Sequence, residues 1–556
     1  MRKSLSQIYF RLKSDNVFAT FRQLKADGVA QTAIDRAVTI LLVMLFIIPP
    51  SGVRGQSFSG SLQSDFQRYT NDNSLIYEQL ESKIASNNYL TLQGQYRKFR
   101  AGIRYEAYFP PLLGYPLNLE GRGLVNKFIS YQNDKISATI GNFYEQFGSG
   151  MILRTQEQRF LGMDTSLDGF QLKANPTKNY TVKLIGGKQR LGFKHADGLV
   201  IGMDNDFRFS KDSTTNQWSG GLSFVNKNEP YDGILTSVKP NVWAVGGRLN
   251  FQRNNFSFST EYITKSADAT PANRYITHRG SALLMNSNLD FDKLSLALNL
   301  KRIDNFDFRS QRSETLNNAL LSFIPATTKQ HSYRLLTLYP YASQVMGEVG
   351  GQIDAIYTFE NDATLSLNFA ALNALNKKTI EGEEGYTSSI FEIGKEKYYR
   401  DLNIEFEKKW SKKFKTNMVF VYLNYNKGQI LGTFAEMIKS YTFIFDGTVK
   451  FLKKKALRFE LQHLSTQQDK GNWAMSLVEY SVSPKYFFYI SDEINYGNFS
   501  FEKVKHYPNI GSAFSYKSHR LSVGYGRQRE GLLCVGGICR LTPAYTGFSA
   551  SLTSSF

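Results

Sequence analysis

The stretch DFDKLSLALNL, residues 290–300, decides the fold. Leu294, Leu296, Leu298 and Leu300 alternate with Ser295, Ala297 and Asn299, giving one apolar and one polar face. A period of two belongs to a strand, whose successive side chains point to opposite sides; a helix would bring the apolar residues round every three or four. Asp290-Phe291-Asp292, just ahead, reads as a tight polar turn.

The same pattern recurs outward in both directions. Trp243, Val245, Leu249 and Phe251 share a face, with Arg248 and Asn250 opposite. Phe256, Phe258 and Tyr262 alternate with Ser257, Ser259 and Glu261. Leu365, Leu367 and Phe369 enclose Ser366 and Asn368; Leu402, Ile404 and Phe406 enclose Asn403 and Glu405; Leu457, Phe459 and Leu461 enclose Arg458 and Glu460. Each reads as a strand of about ten residues with a polar, often charged, second face. A soluble sandwich also alternates but rarely needs so many long strands. A transmembrane β-barrel, with lipid outside and polar packing or water inside, accounts for the pattern over residues 56–556. Closure is required physically, because an open sheet edge would leave unpaired N–H and C=O groups in hydrocarbon.

Connection lengths supply a strand count. Short polar turns fall at Arg97, 133–135, 176–178, 211–213, 253–255, 290–292, 360–362, 411–413, 453–455, 483–485 and 517–519. Eleven hairpins with a first and a last strand predict a single antiparallel barrel of about 24 strands, within 20–26. Longer connections at 110–123, 305–347, 373–399 and 426–438 fit the outer loops of such a barrel. At this size a lumen needs a plug. Alternation begins within Ser57–Thr70, which leaves no room for a separate plug domain, so inward-folded loops or a partner must fill it.

Composition agrees. The 32 Tyr and 42 Phe against 14 Pro suit long strands, and no twenty-residue apolar run offers a membrane helix. The net charge of +19 invites a nucleic-acid reading, but Lys and Arg are spread thinly and many sit in turns, so no nucleic acid is expected. Residues 1–55 read as a signal peptide with a long basic leader, an apolar core at 37–48 that is too short to span a bilayer, and cleavage after Gly55; an N-terminal anchor is the alternative. The closing stretch, with Phe548, Leu552 and terminal Phe556 on one face, looks like the strand signal read by barrel-insertion machinery. The outer membrane of a Gram-negative bacterium is the expected location, with its lipid, that machinery and other outer-membrane proteins as partners.

Three features are candidates for function. Segment 141–169 carries Arg154, Glu157, Arg159, Asp164 and Asp168, mixed charges that either line a constriction or brace the lumen as an ion-paired network; Gly148 and Gly150 permit tight backbone approach there. Cys534 and Cys539 flank Gly536-Gly537 and are expected to form a disulfide at a hairpin tip in the last outer loop, contributing roughly 2 kcal/mol in the chain-entropy model. FPPLLGYP, residues 109–116, either presents Leu112 and Leu113 to a partner or folds inward. The six His are scattered, no Ser–His–carboxylate pattern is local, and no phosphate-binding Gly loop appears, so no metal, cofactor or catalytic residue is expected and an enzyme is not.

GNFYEQFGSGMILR (141–154), LGMDTSLDG (161–169) and the ending GLLCVGGICR…PAYTGFSASLTSSF (531–556) resemble an outer-membrane β-barrel family of the Bacteroidota catalogued as a domain of unknown function. The resemblance implies compartment and architecture and brings no assigned chemistry. Two functions follow as expectations: a porin-like or transport channel, or a non-conducting scaffold of a larger secretion or assembly complex.

Overall fold

The structure is a computed structural model that describes residues 56–556 apart from 74, 76–81, 210–215, 232, 234–237, 381–384 and 498–503. The expected signal segment 1–55 lies outside the described residues. Twenty-four antiparallel strands form one closed ring. Each strand pairs with its neighbours in the chain, and the last, Tyr545–Ser555, returns to the first, Gln56–Thr70, with Ser61 opposite Ser555 and Thr70 opposite Thr546. The strand number equals the count from turns because the strands flanking each of the eleven expected turns pair with one another. Arg97, Asn254, Asp362, Lys454 and Lys517 adopt left-handed φ at these turns, as tight hairpins demand even without glycine.

The pleat sorts each strand into two faces. In Lys194–Arg208, Leu199, Ile201 and Met203 are 46%, 44% and 39% exposed on the outside, while Val200 and Asp204 point inward and are buried. Trp243 and Val245 face outward, Val242 and Ala244 inward. Such residues around the ring make an apolar outer band. Aromatic pairs such as Phe99–Tyr131, Trp218–Phe251, Tyr357–Phe359 and Tyr486–Phe514 sit beside the short turns, where an interfacial girdle belongs.

Three expectations need correction. Wall strands run from 8 residues, Ile136–Phe143, to 24, Tyr386–Lys409, rather than about ten. The span 373–399 is mostly strand: Ala363–Thr379 and Tyr386–Lys409 stay paired as far as Thr379 and Tyr386, with register shifts along the way, because pairing continues beyond the rim. The inner face is polar only in part. Where loops enter the lumen it turns apolar: Phe147, Ile152 and Phe306 pack on Val200, Val242 and Ile263. Loop insertion changes what an inward residue meets from water to another side chain.

Candidate functional site in the lumen

Segment 144–166 leaves the wall between Ile136–Phe143 and Leu167–Thr177, which pair directly with Phe143 opposite Leu167. It folds inward as two small hairpins, Gln146–Phe147 with Leu153–Arg154 and Glu157–Gln158 with Met163–Asp164. Gly148 has φ +54 and lies so close to Glu261 that a Cβ would stand 2.4 Å from its carboxylate; the Glu261 side chain accepts the Ser149 N–H at 2.8 Å. Only glycine suits that position.

Glu157, Arg159 and Asp164 come together, but around partners that sequence reasoning missed. Arg104 lies 2.8 Å from a carboxylate oxygen of both Glu106 and Glu157 and also pairs with Asp164. Arg190 pairs with Glu106 and Asp164, both at 2.6 Å, and Arg159 with Glu157 at 2.5 Å. Arg104, Glu106 and Arg190 project from wall strands, where only their parity with inward-facing neighbours distinguishes them from ordinary polar residues. Three carboxylates at this spacing have the donors for a divalent cation. Here the guanidinium groups of Arg104 and Arg190 already stand among them and, with Arg159 on Glu157, balance their charge. The other two candidates lie elsewhere. Arg154 stacks 4.1 Å over the Phe323 ring, and Asp168 stays in the wall, 3.1 Å from His195.

The network should make this segment pH-sensitive at its acid end. Burial alone would raise the Asp164 carboxyl, but Arg190, Arg104 and the Ser166 N–H together hold it below its ordinary 3.8. A depressed carboxylate contributes stability that is complete above the unfolded value and lost as pH falls through the lowered one. Hydrogen exchange in 144–166 is therefore expected to stay slow just above pH 3.8 and to quicken only below it, with Asp164→Asn already fast at neutral pH. Unchanged protection in that variant would remove the network from any bracing role.

Segment 305–346 crosses the lumen and is tied to the wall along its course. Its own flanking strands pair directly, with Asp304 opposite Gly347. Arg312 meets Asp268 at 2.6 Å and Glu229 at 3.1 Å, with Lys227 completing the group. Lys301 and Glu348, both fully buried and 2.7 Å apart, hold the middle, because Lys301 also donates to the Pro325 and Ala326 carbonyls. Further on, Lys329 pairs with Glu405 at 2.7 Å and the Leu335 N–H donates to Gln462 at 2.8 Å. Arg334 pairs with Glu493, which Arg529 shares at 2.8 Å.

Cys534 and Cys539 are joined by a disulfide in the hairpin Gly531–Val535 with Ile538–Thr542. The hairpin lies in the last long connection, as expected, but its tip turns into the lumen rather than out. Asn317 donates to the Cys539 carbonyl at 2.8 Å, and a Cβ on Gly536 would meet the Phe323 ring at 3.0 Å. The proline loop also folds inward. Leu112 is buried, and the Leu113 N–H donates to the Tyr69 hydroxyl at 2.9 Å.

Beneath these four inserted segments a cavity of about 750 Å³ extends along the closing seam of the barrel. It reaches Phe487 and Arg520, beside the short turns, and five arginines line it: Arg159, Arg334, Arg520, Arg529 and Arg540. Asp65 is the lining carboxylate, and it already accepts from Gln63 at 2.8 Å and Ser551 at 2.5 Å.

A model of a family of unknown function, DUF6029, matches residues 34–556. No curated protein matches the chain. Among solved structures, it is similar to the P pilus usher (PapC) translocation pore, at 9% identity and TM-score 0.42, covering 90% of this chain and 99% of that one. A mutant ferric enterobactin receptor (PfeA) from Pseudomonas aeruginosa gives 10% identity and TM-score 0.44, covering 91% and 81%. The copper transporter OprC gives 10% identity and TM-score 0.40, covering 91% and 81%. The assignment of a barrel rests on the closed pairing of the chain itself.

Proposed function

This chain belongs to the DUF6029 family of unknown function, which brings no activity with it, and we propose that it is an outer-membrane transport barrel closed at rest by its own loops. One observation carries the reading. Segments 144–166 and 305–346 each leave and re-enter between strands that pair directly, so a plug segment can shift without breaking the strand-to-strand pairing of the wall. The apolar outer band and the aromatic pairs by the short turns support placement in a bilayer, with Phe548 and Leu552 of the closing strand facing lipid. Phe556, whose N–H and carbonyl pair with Gly60, completes the terminal signal for insertion.

The test is single-channel conductance of the folded mature chain in a planar bilayer. Brief, small openings that prefer anions are expected, given the arginine lining. Arg159→Gln, which changes a cavity residue, should lower that preference, while Arg154→Gln, on Phe323, should leave it unchanged. Equal effects of both would separate the cavity from conduction. The second reading, a scaffold subunit, is favoured by the tie of segment 305–346 to the buried wall pair Lys301–Glu348, through Pro325 and Ala326 on one side and Tyr341 and Gln344 on the other. Silence of verified folded barrels would decide for it.

A further inference from the structure

The side chain at the inner end of the cavity does not fit a purely structural account. Arg540 is 9% exposed, yet among the described residues no carboxylate lies within ion-pair distance and its Nε has no hydrogen-bond partner. Its Nη1 donates to the Leu113 carbonyl at 3.2 Å, and its guanidinium lies 4.1 Å over the Tyr115 ring. Gly114, with φ +83, lets the backbone pass beneath it, since a Cβ there would stand 3.0 Å from Nη1 and 2.7 Å from the Leu541 carbonyl. Burial disfavours its charged form. The other buried arginines described above, Arg104, Arg190, Arg312 and Arg529, each have a carboxylate. A buried cation left uncompensated is costly, and an aromatic face offsets only part of that cost.

The surroundings indicate what would complete it. Arg159, Arg334 and Arg529 line the same space, while their carboxylates, Glu157 and Glu493, are not among its lining residues. Exposed Arg520 stands at the short-turn end, its Nη1 on Ser515 at 3.3 Å. Between the arginines the lining mixes polar side chains, Gln63, Gln67 and Gln528 among them, with apolar Leu113, Phe160, Leu532 and Leu533. A volume of about 750 Å³ lies within the range of small-molecule sites. We propose that this cavity is a binding site for a small organic anion, a carboxylate or phosphate ester with an aromatic or aliphatic body. The oxyanion sits on Arg540 and the body lies against Leu532 and Leu533. Guanidinium groups suit such oxyanions because their N–H donors match carboxylate and phosphate geometry.

The assignment deepens the transport reading by naming a solute class, and its test does not depend on current. Calorimetric titration of the folded barrel in detergent uses phenyl phosphate, inorganic phosphate and neutral benzyl alcohol. Phenyl phosphate is expected to saturate one site, and Arg540→Gln to weaken it roughly tenfold or more, the loss of a charge-assisted contact. Should that variant fail to fold, Arg520→Gln, which leaves the hairpin untouched, is expected to weaken binding by about threefold, as a more distant, solvated charge would. Inorganic phosphate should bind more weakly than phenyl phosphate, and benzyl alcohol not at all. No saturable binding, or affinity unchanged in the folded variant, overturns the site; equal affinity for inorganic phosphate overturns its organic character. A barrel that conducts yet fails to bind defeats this site alone, whereas one that binds yet never conducts defeats the transport reading alone.

Discussion

Excising residues 313–340 and bridging the gap with a Gly-Ser linker of about twelve residues, roughly 40 Å when extended, is expected to turn the barrel into a wide, steadily open pore. The segment removed carries Lys329, Arg334 and Leu335, which tie it to Glu405, Glu493 and Gln462 on the far wall. It also supports segment 144–166: the Arg154 N–H donates to the Leu321 carbonyl at 2.8 Å, and the Phe323 N–H to Gly150 at 3.1 Å. Arg312 and Tyr341 remain in place, so the anchors at Asp268 and Glu348 survive the cut. A ring of more than twenty strands without its filling encloses an aqueous lumen, so conductance should rise on the order of tenfold. The measurement is single-channel current in protein whose heat-modifiable gel band shows it folded. Current indistinguishable from the intact chain would mean that this segment does not block the lumen.

The second large effect is expected from Lys301→Met. The Lys301 and Glu348 side chains have no solvent exposure, so removing the ammonium strands a carboxylate that, among the described residues, keeps the Tyr341 hydroxyl and the Gln344 N–H as donors. Breaking one side of a fully buried pair costs about 3–5 kcal/mol. The same change deletes the two bonds to Pro325 and Ala326, so the loop should loosen along with the wall. Adding Glu348→Gln removes the stranded charge and leaves a carbonyl to accept from Tyr341 and Gln344. The double variant should therefore recover most of the loss in a urea titration of the folded band. A double variant no more stable than the single one would show that the cost is lost packing rather than uncompensated charge.

The residues that fill and brace the lumen differed in how legible they were in the sequence. Lys301 and Arg302 follow directly on the alternating run of Leu294–Leu300, and nothing in that run marks them as buried, the Lys301 side chain fully. Glu157, Arg159 and Asp164 stood out as a local cluster of mixed charge, whereas Arg104, Glu106 and Arg190 did not, because each occupies an inward position of a wall strand like any other polar residue there. Burial of a charge on a wall strand depends on which loop arrives opposite it, and loop arrival leaves no periodic trace. The cysteine hairpin teaches the same lesson. Its pairing was legible from five-residue spacing and two glycines, yet its direction was not, since the tip is held by Asn317, 222 residues away.

What the sequence determined by itself is therefore the wall. Period-two alternation and turn chemistry act over a few residues, and eleven short turns suffice to count a ring whose strands pair in chain order. The filling and the cavity were decided only by tertiary structure. Arg334 finds Glu493 159 residues on, and Arg540 reaches Leu113 427 residues back, across a seam that exists only once the first and last strands have paired. Closure brings those side chains within bonding distance, and before closure no local propensity distinguishes an inward loop from an outward one.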